Sequence, residues 1–177
     1  YHAFNLESLD LIIVESNIGG LEDATRIPTI FPTLSIITNV SLNLTYLVGK
    51  TESQIAKNFS AIIAPKSTVI VGQIDEEPRN VIRDEASKKE ADLYIVDDYH
   101  GNHYVAPTYR FDYRPFVNLS ILSSASYLLP FASLAVEAIN RLQPVLPIDE
   151  FSIRKGLEVP PLPCRFEKIA NIIFDIA

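Results

Sequence analysis

Glu15 closes an apolar run, Leu9-Asp10-Leu11-Ile12-Ile13-Val14, and the chain then turns through Gly19-Gly20 into Asp23-Ala24-Thr25. A carboxylate at a strand end with a glycine turn behind it suits the docking of something charged. The carboxylate can meet a hard cation, and glycine lets backbone approach a ligand closely. Each residue also has a plain structural use. Gly19 and Gly20 can serve a tight turn, and Asp23-Ala24-Thr25 can cap a helix or close a turn.

A second constellation is "DDYHGNHY", which gathers Asp97, Asp98, His100 and His103. Histidines three apart with acids beside them have the ligand types of a zinc site. The sequence supplies no evident fourth, distant ligand, so the plainer reading is a polar loop between sheet-edge strands. "SILSSAS" is rich in serine but lacks a nucleophile-elbow pattern and a histidine partner, which argues against hydrolase chemistry.

These residues need elements to position them. The run Leu9 to Glu15 is apolar on both faces, the pattern of a central parallel strand. After a connection containing Pro28 and Pro32, "LSIITN" (34–39) repeats the pattern. Thr51-Glu52-Ser53-Gln54 is close to a capping box, and Ile55, Ala56, Phe59, Ile62 and Ile63 suit one helical face. "STVIVG" (67–72) reads as a strand, residues 76–90 as a charged amphipathic helix, and "DLYIV" (92–96) as another strand. Between Asp97 and Leu122 tyrosines alternate with polar residues, which predicts antiparallel strands at a sheet edge. Residues 126–142 read as a helix with Pro130 in its first turn or at a kink. A short helix follows near 148–155, and "VPPLPCRFEKIA" runs into a last strand, "NIIFDIA". Strands alternating with helices give an α/β fold with a largely parallel sheet flanked by helices.

The whole chain narrows the function classes. At 177 residues, 47% hydrophobic and 21% charged, it has the composition of a folded domain with a real core. A net charge of −7 without a basic face argues against nucleic acid. The apolar runs fall short of the roughly 20 residues that span a bilayer, so no membrane is expected. One cysteine, Cys164, and the lack of a secretory signal fit a cytoplasmic setting, although four Asn-x-Ser/Thr sequons stand at Asn39, Asn43, Asn58 and Asn118. The sequence contains no methionine, which reads as a chain that begins inside something longer or was processed.

In this order, these elements resemble the folylpolyglutamate synthase and dihydrofolate synthase family, ATP-dependent ligases related to the Mur ligases. The family pattern Glu-Val-Gly-Leu-Gly-Gly-Arg-x-Asp-Ala-Thr-Asn stands here as residues 15–26, "ESNIGGLEDATR". A strand ending Ile-Thr-x-Ile-x-Leu-Asp-His-Thr, then Leu-Gly, is matched by "IITNVSLNLTYLVG". Ile-Ala-x-x-Lys-Ala-Gly-Ile-Ile-Lys-Pro is matched by "IAKNFSAIIAP" (55–65). Pro-Gly-Arg-Phe-Glu is matched by "PCRFE" (163–167), and the strand before Asp-Gly-Ala-His-Asn-Pro by "IIFDIA" (172–177).

The resemblance implies a Mur-ligase central-domain-like three-layer sandwich, incomplete. Residues 1–160 would be part of an ATP-binding domain, and 161–177 a linker and the first strand of a further one. It implies ATP and Mg²⁺ as cofactors and addition of glutamate to a folate through an acyl phosphate. Glu15 matches the family's magnesium-binding glutamate. Gly19, Gly20 and Arg165 match nucleotide-binding positions, with a surface ion pair to Glu167 as the alternative for Arg165. Asp175 matches the acid that opens the C-terminal motif.

The departures are as telling. Leu21 replaces the arginine after Gly-Gly, and Asn43-Leu44-Thr45 replaces Asp-His-Thr. Phe59 stands where the family carries a modified lysine, and the His-Gln and Asn used around the nucleotide fall near Ala125-Ser126 and Leu129. Phosphoryl transfer depends on positioned charge, and losing one such group typically costs on the order of 10²–10³ in rate. The expectation is a divergent ligase domain, weak or inactive as this chain alone, with no catalytic residue assignable. The alternative is a non-catalytic scaffold or binding protein that keeps the fold and serves a protein partner.

Overall fold

The computed structural model describes residues 9–26, 32–97, 99–160, 162–169 and 171–175. Pro28, Asp98 and the last two residues of "IIFDIA" lie outside them. The chain divides into two compact units, residues 1–94 and 95–177.

The first unit is built on a parallel sheet, β1 (Leu34–Ile37), β2 (Thr68–Val71) and β3 (Asp92–Ile95), in that order, with β3 ending at the boundary between the units. β1 and β2 run parallel, Leu34 opposite Thr68 and Ile37 opposite Val71. Val69, Ile70 and Val71 are almost fully buried, which a run apolar on both faces requires of a central strand. Helix α1 (Glu52–Phe59) connects β1 to β2. The Thr51 side chain caps it by accepting from the Gln54 N–H at 3.2 Å. The Gln54 side chain reaches back to the Lys50 N–H at 2.8 Å, one residue before the position a strict capping box uses. Helix α2 (Glu76–Lys88) buries Pro78, Ile82 and Ala86 on one face. Pro78 sits in the first turn, where no intrahelical N–H is owed. Ile82 and Ala86 join Ile37, Ile55, Ala56 and Val71 in one core.

The expected first strand does not form. Residues 11–16 have no regular secondary structure, and Leu9, Leu11, Ile12, Ile13 and Val14 are exposed, Ile13 at 86%. A strand exists through its neighbours' hydrogen bonds, and among the described residues none pairs with this segment.

In the second unit, β4 (His100–Val105), β5 (Thr108–Tyr113) and β6 (Phe116–Ile121) form an antiparallel sheet of their own rather than the edge of the parallel one. Tyr104 and Tyr109, paired across β4 and β5, put their ring centroids 5.0 Å apart, so the tyrosine-rich texture is cross-strand packing. Helix α3 (Leu128–Leu142) carries Pro130 in its first turn, as expected, and helix α4 (Glu150–Leu157) follows. Phe111, Leu119, Leu129, Val136 and Ile153 form the core here. Arg154 of α4 donates to the carbonyls of Val117 and Asn118 on β6, both at 2.9 Å. The last elements are a hairpin, β7 (Glu167–Ile169) and β8 (Ile172–Phe174).

Candidate functional site

The glycine turn of residues 16–25 is held by hydrogen bonds within itself. Asp23, only 4% exposed, directs both carboxylate oxygens back into the loop. Oδ2 accepts from the N–H groups of Ile18 and Gly19, each at 2.8 Å. Oδ1 accepts from the Thr25 N–H at 2.8 Å and the Thr25 hydroxyl at 2.5 Å, and Thr25 Oγ1 lies 3.1 Å from Ser16 Oγ. Burial alone would raise the Asp23 pKa. The hydrogen bonds from Thr25, Gly19 and Ile18 outweigh it and hold the carboxyl well below the usual range. The cover is the loop itself, so solvent is near and the hydrogen bonds decide the outcome.

Helix α1 closes the turn from behind. Asn58 Oδ1 accepts from the Leu21 N–H at 2.8 Å, and its Nδ2 donates to the Val48 carbonyl at 3.1 Å. The turn of residues 44–48, which overlaps Asn43-Leu44-Thr45, is therefore tied to the same asparagine. Gly20, at φ 78°, lies so close that a Cβ there would stand 2.5 Å from the Asn58 carbonyl oxygen. Gly19, at φ 79°, faces the Phe59 ring, whose edge would be 3.0 Å from an added Cβ. Both glycines are demanded by the approach of α1. Beyond Phe59, the half-buried Lys89 donates to the carbonyls of Ser60 and Ile63 at 2.8 Å each.

Glu15 is exposed and lies in the irregular segment rather than at a strand end. Among the described residues no group of three or more His, Cys, Asp or Glu is placed to hold a metal ion. Leu21 and Leu44 are exposed apolar side chains, and Phe59 has no lone pair to offer. At this turn the N–H groups of Ile18, Gly19 and Leu21 already have acceptors within the protein.

Arg165 belongs to the second unit. It is exposed, and its N–H donates to the Leu162 carbonyl at 3.1 Å. Its neighbours Cys164 and Phe166 both adopt positive φ, 63° and 51°. Such a backbone persists only when its surroundings fix it. Here the Cys164 N–H donates to Glu167 Oε2 at 3.0 Å, the Phe166 N–H to Asp175 Oδ1 at 3.2 Å, and the Tyr127 hydroxyl to the same oxygen at 3.2 Å. Asp175 thus has a defined structural part, holding the turn that carries Arg165. Of the histidine constellation, His100 and His103 are exposed on β4, and His103 Nδ1 lies 2.8 Å from the Gly101 carbonyl.

Sequence reasoning met Asn58 as a sequon and within the block 55–65 but gave it no role, and it did not single out Lys89, Glu137 or Tyr113. Glu137 of α3 is buried. It accepts from the Tyr113 hydroxyl at 3.0 Å and from Arg141 Nε at 2.7 Å. The acid and arginine four residues apart on a helix were the readable half of that group.

A parallel α/β sheet with flanking helices, and the order of these elements, define a ligase fold of the Mur type. In sequence and in fold the chain resembles folylpolyglutamate and dihydrofolate synthases. The chain is 29% identical over 174 residues to a probable bifunctional folylpolyglutamate synthase/dihydropteroate synthase of Haloferax volcanii, across 93% of this chain and 20% of that protein. It is 25% identical to the dihydrofolate synthase/folylpolyglutamate synthase of Haemophilus influenzae, across 95% of this chain and 37% of that protein. The crystal structure of a folylpolyglutamate synthase from Thermotoga maritima superposes with a TM-score of 0.76 at 27% identity, covering 92% of this chain and 38% of that one. A folylpolyglutamate synthase complex with AMPPCP and folate shares the fold, with a TM-score of 0.83 at 23% identity, covering 92% of this chain and 42% of that one. No family model matches the chain. The chain spans between a fifth and two fifths of the length of these two curated relatives.

Proposed function

We propose that this chain is a folylpolyglutamate synthase-like ligase domain whose phosphoryl-transfer site is degenerate, so that alone it adds glutamate to folate weakly or not at all. One observation carries the reading. Where the family has a modified lysine, the Phe59 ring packs against Gly19 and dries the corner where charge is needed. Names of relatives and the AMPPCP–folate complex support folate, glutamate and ATP as the original reactants. Glu15 for Mg²⁺, and Gly19, Gly20 and Arg165 for the nucleotide, are the positions that match. Of these, Glu15 and Arg165 present exposed side chains, while the glycines offer backbone already largely engaged. We place residues 1–160 in an ATP-binding type of domain and 161–177 in a linker and following strand, a division different from the compact units. A cytoplasmic setting fits the single cysteine. The test is glutamate addition to folate by the purified chain with ATP and Mg²⁺. Background turnover is expected, and robust ATP-dependent product would overturn the proposal.

The scaffold reading is favoured by a separate observation, the exposed apolar run Leu9 to Val14. It requires a protein partner that shields this run. Equal solubility of the chain with Ile13→Ser and Val14→Ser, together with undiminished partner capture, would count against it.

A further inference from the structure

We propose that the glycine turn is an anion seat filled by the protein's own carboxylate, that of Asp23, and thereby closed to phosphate in the folded chain. The inference goes beyond the ligase reading and holds whatever activity the chain has. The N–H groups of Ile18 and Gly19 converge on one oxygen, Asp23 Oδ2, at 2.8 Å each. Successive backbone N–H groups turned to one point make an anion-binding concavity, and in other proteins such concavities hold phosphate. Here the concavity is lined by its own acid. The second oxygen is held by Thr25 through N–H and hydroxyl, so the carboxylate has no slack to swing out. Asn58 takes the Leu21 N–H from behind, and the Phe59 ring covers Gly19. An incoming phosphate would have to displace a carboxylate held by four hydrogen bonds, or share two donors with a like charge. The turn has the shape of a phosphate loop and the occupancy of a structural clasp.

Emptying the seat tests this. Asp23→Ala leaves the donors of Ile18, Gly19 and Thr25 in place without their acceptor. Formate and inorganic phosphate are titrated against chloride at matched ionic strength into the variant and the unaltered chain. The readouts are thermal midpoint and the amide resonances of Ile18 and Gly19. The variant is expected to melt below the unaltered chain and to regain stability with formate. At a tenfold excess over the dissociation constant, formate raises its folded-to-unfolded ratio about 11-fold. Its Ile18 and Gly19 amides shift saturably, and those of the unaltered chain respond to neither anion. If the variant does not fold in chloride, refolding yield in formate replaces the melt. Recovery is expected, and no recovery overturns the proposal. Saturable shifts of Ile18 and Gly19 in the unaltered chain with phosphate or Mg²⁺-ATP would also overturn it, because the seat would then be open. Glutamate addition is not measured here, so failure of the ligase reading leaves this result unaffected.

Discussion

Replacing Gly20 with alanine measures how far helix α1, rather than a ligand, dictates the glycine turn. The new Cβ would lie 2.1 Å from Asn58 Oδ1, 2.5 Å from its carbonyl oxygen and 2.7 Å from its carbonyl carbon, at a φ of 78°. The left-handed backbone costs an L-residue roughly 1–2 kcal/mol. The Oδ1 contact can be relieved by swinging the Asn58 amide, but that amide binds the Leu21 N–H and the Val48 carbonyl, worth about 1 kcal/mol each. The carbonyl contact cannot be relieved by a side-chain rotation, so the end of α1 must shift as well. The sum is at least about 3 kcal/mol. With a urea slope of about 1.5 kcal/mol/M, the unfolding midpoint followed by circular dichroism falls by about 2 M. Gly156→Ala is the control. Its Cβ meets nothing within 4 Å on helix α4, and the exchange is expected to stabilise by about 0.5–1 kcal/mol. Asn58→Ala combined with Gly20→Ala should cost less than the two singles together, because they break the same bonds. A Gly20→Ala variant within about 0.5 kcal/mol of the original, with Gly156→Ala behaving as stated, would refute the reasoning.

Three further outcomes follow from the same physics. The folded Asp23 pKa is depressed, so its stabilisation is complete above the unfolded value of about 3.9 and is lost as pH falls from there toward the folded value; acid titration of stability should be steeper for the unaltered chain than for Asp23→Asn. Lys89→Ala removes an ammonium donated to the Ser60 and Ile63 carbonyls and should cost about 1–2 kcal/mol by urea unfolding, with Lys89→Met recovering only its packing share. In the second unit, burial raises the Tyr113 pKa, and the Glu137 carboxylate raises it further. Glu137→Gln should therefore lower the Tyr113 midpoint in an ultraviolet titration, and Glu137→Ala should cost about 1–3 kcal/mol by removing the acceptor of the Tyr113 hydroxyl. An unmoved Tyr113 titration would show that burial alone sets it.

The elements that local pattern could specify were legible in the sequence. Thr68–Val71 is apolar on both faces and lies in the middle of the sheet. Thr51 announces the start of α1 and caps it, and Pro130 falls in the first turn of α3 where its missing N–H is harmless. The run Leu9 to Val14 carries an equally good strand pattern and forms none. Its failure shows what a pattern leaves out, since a strand needs a neighbour and hydrophobicity cannot name one. The candidate site was legible only in its glycines. Asp23 read as a cap or turn because its partners are local, but nothing local said that its carboxylate would take the N–H groups of both Ile18 and Gly19. Asn58 was hidden for the opposite reason: the Leu21 N–H it accepts lies 37 residues away.

The fit of Gly20 against Asn58 bears on what a Gly-Gly pair means in a chain that resembles this family. The presence of the two glycines invites the inference that a phosphate still comes to them. In this structure the demand for glycine arises on the protein's own side. Gly20 has no room for a Cβ because the α1 backbone occupies it, and Gly19 has the Phe59 ring against it. A turn so constrained keeps its glycines whether or not a ligand visits. The proposed loss of chemistry concerns other positions, since by the resemblance Leu21, Leu44 and Phe59 stand where the family patterns have an arginine, a histidine and a modified lysine. Packing and chemistry thus make separate demands on one short loop. The packing demand is met in full by Gly20, Asn58 and Asp23. Phe59→Lys is therefore expected to leave the seat closed, because the N–H groups of Ile18 and Gly19 are held by Asp23 and not by the residue at 59.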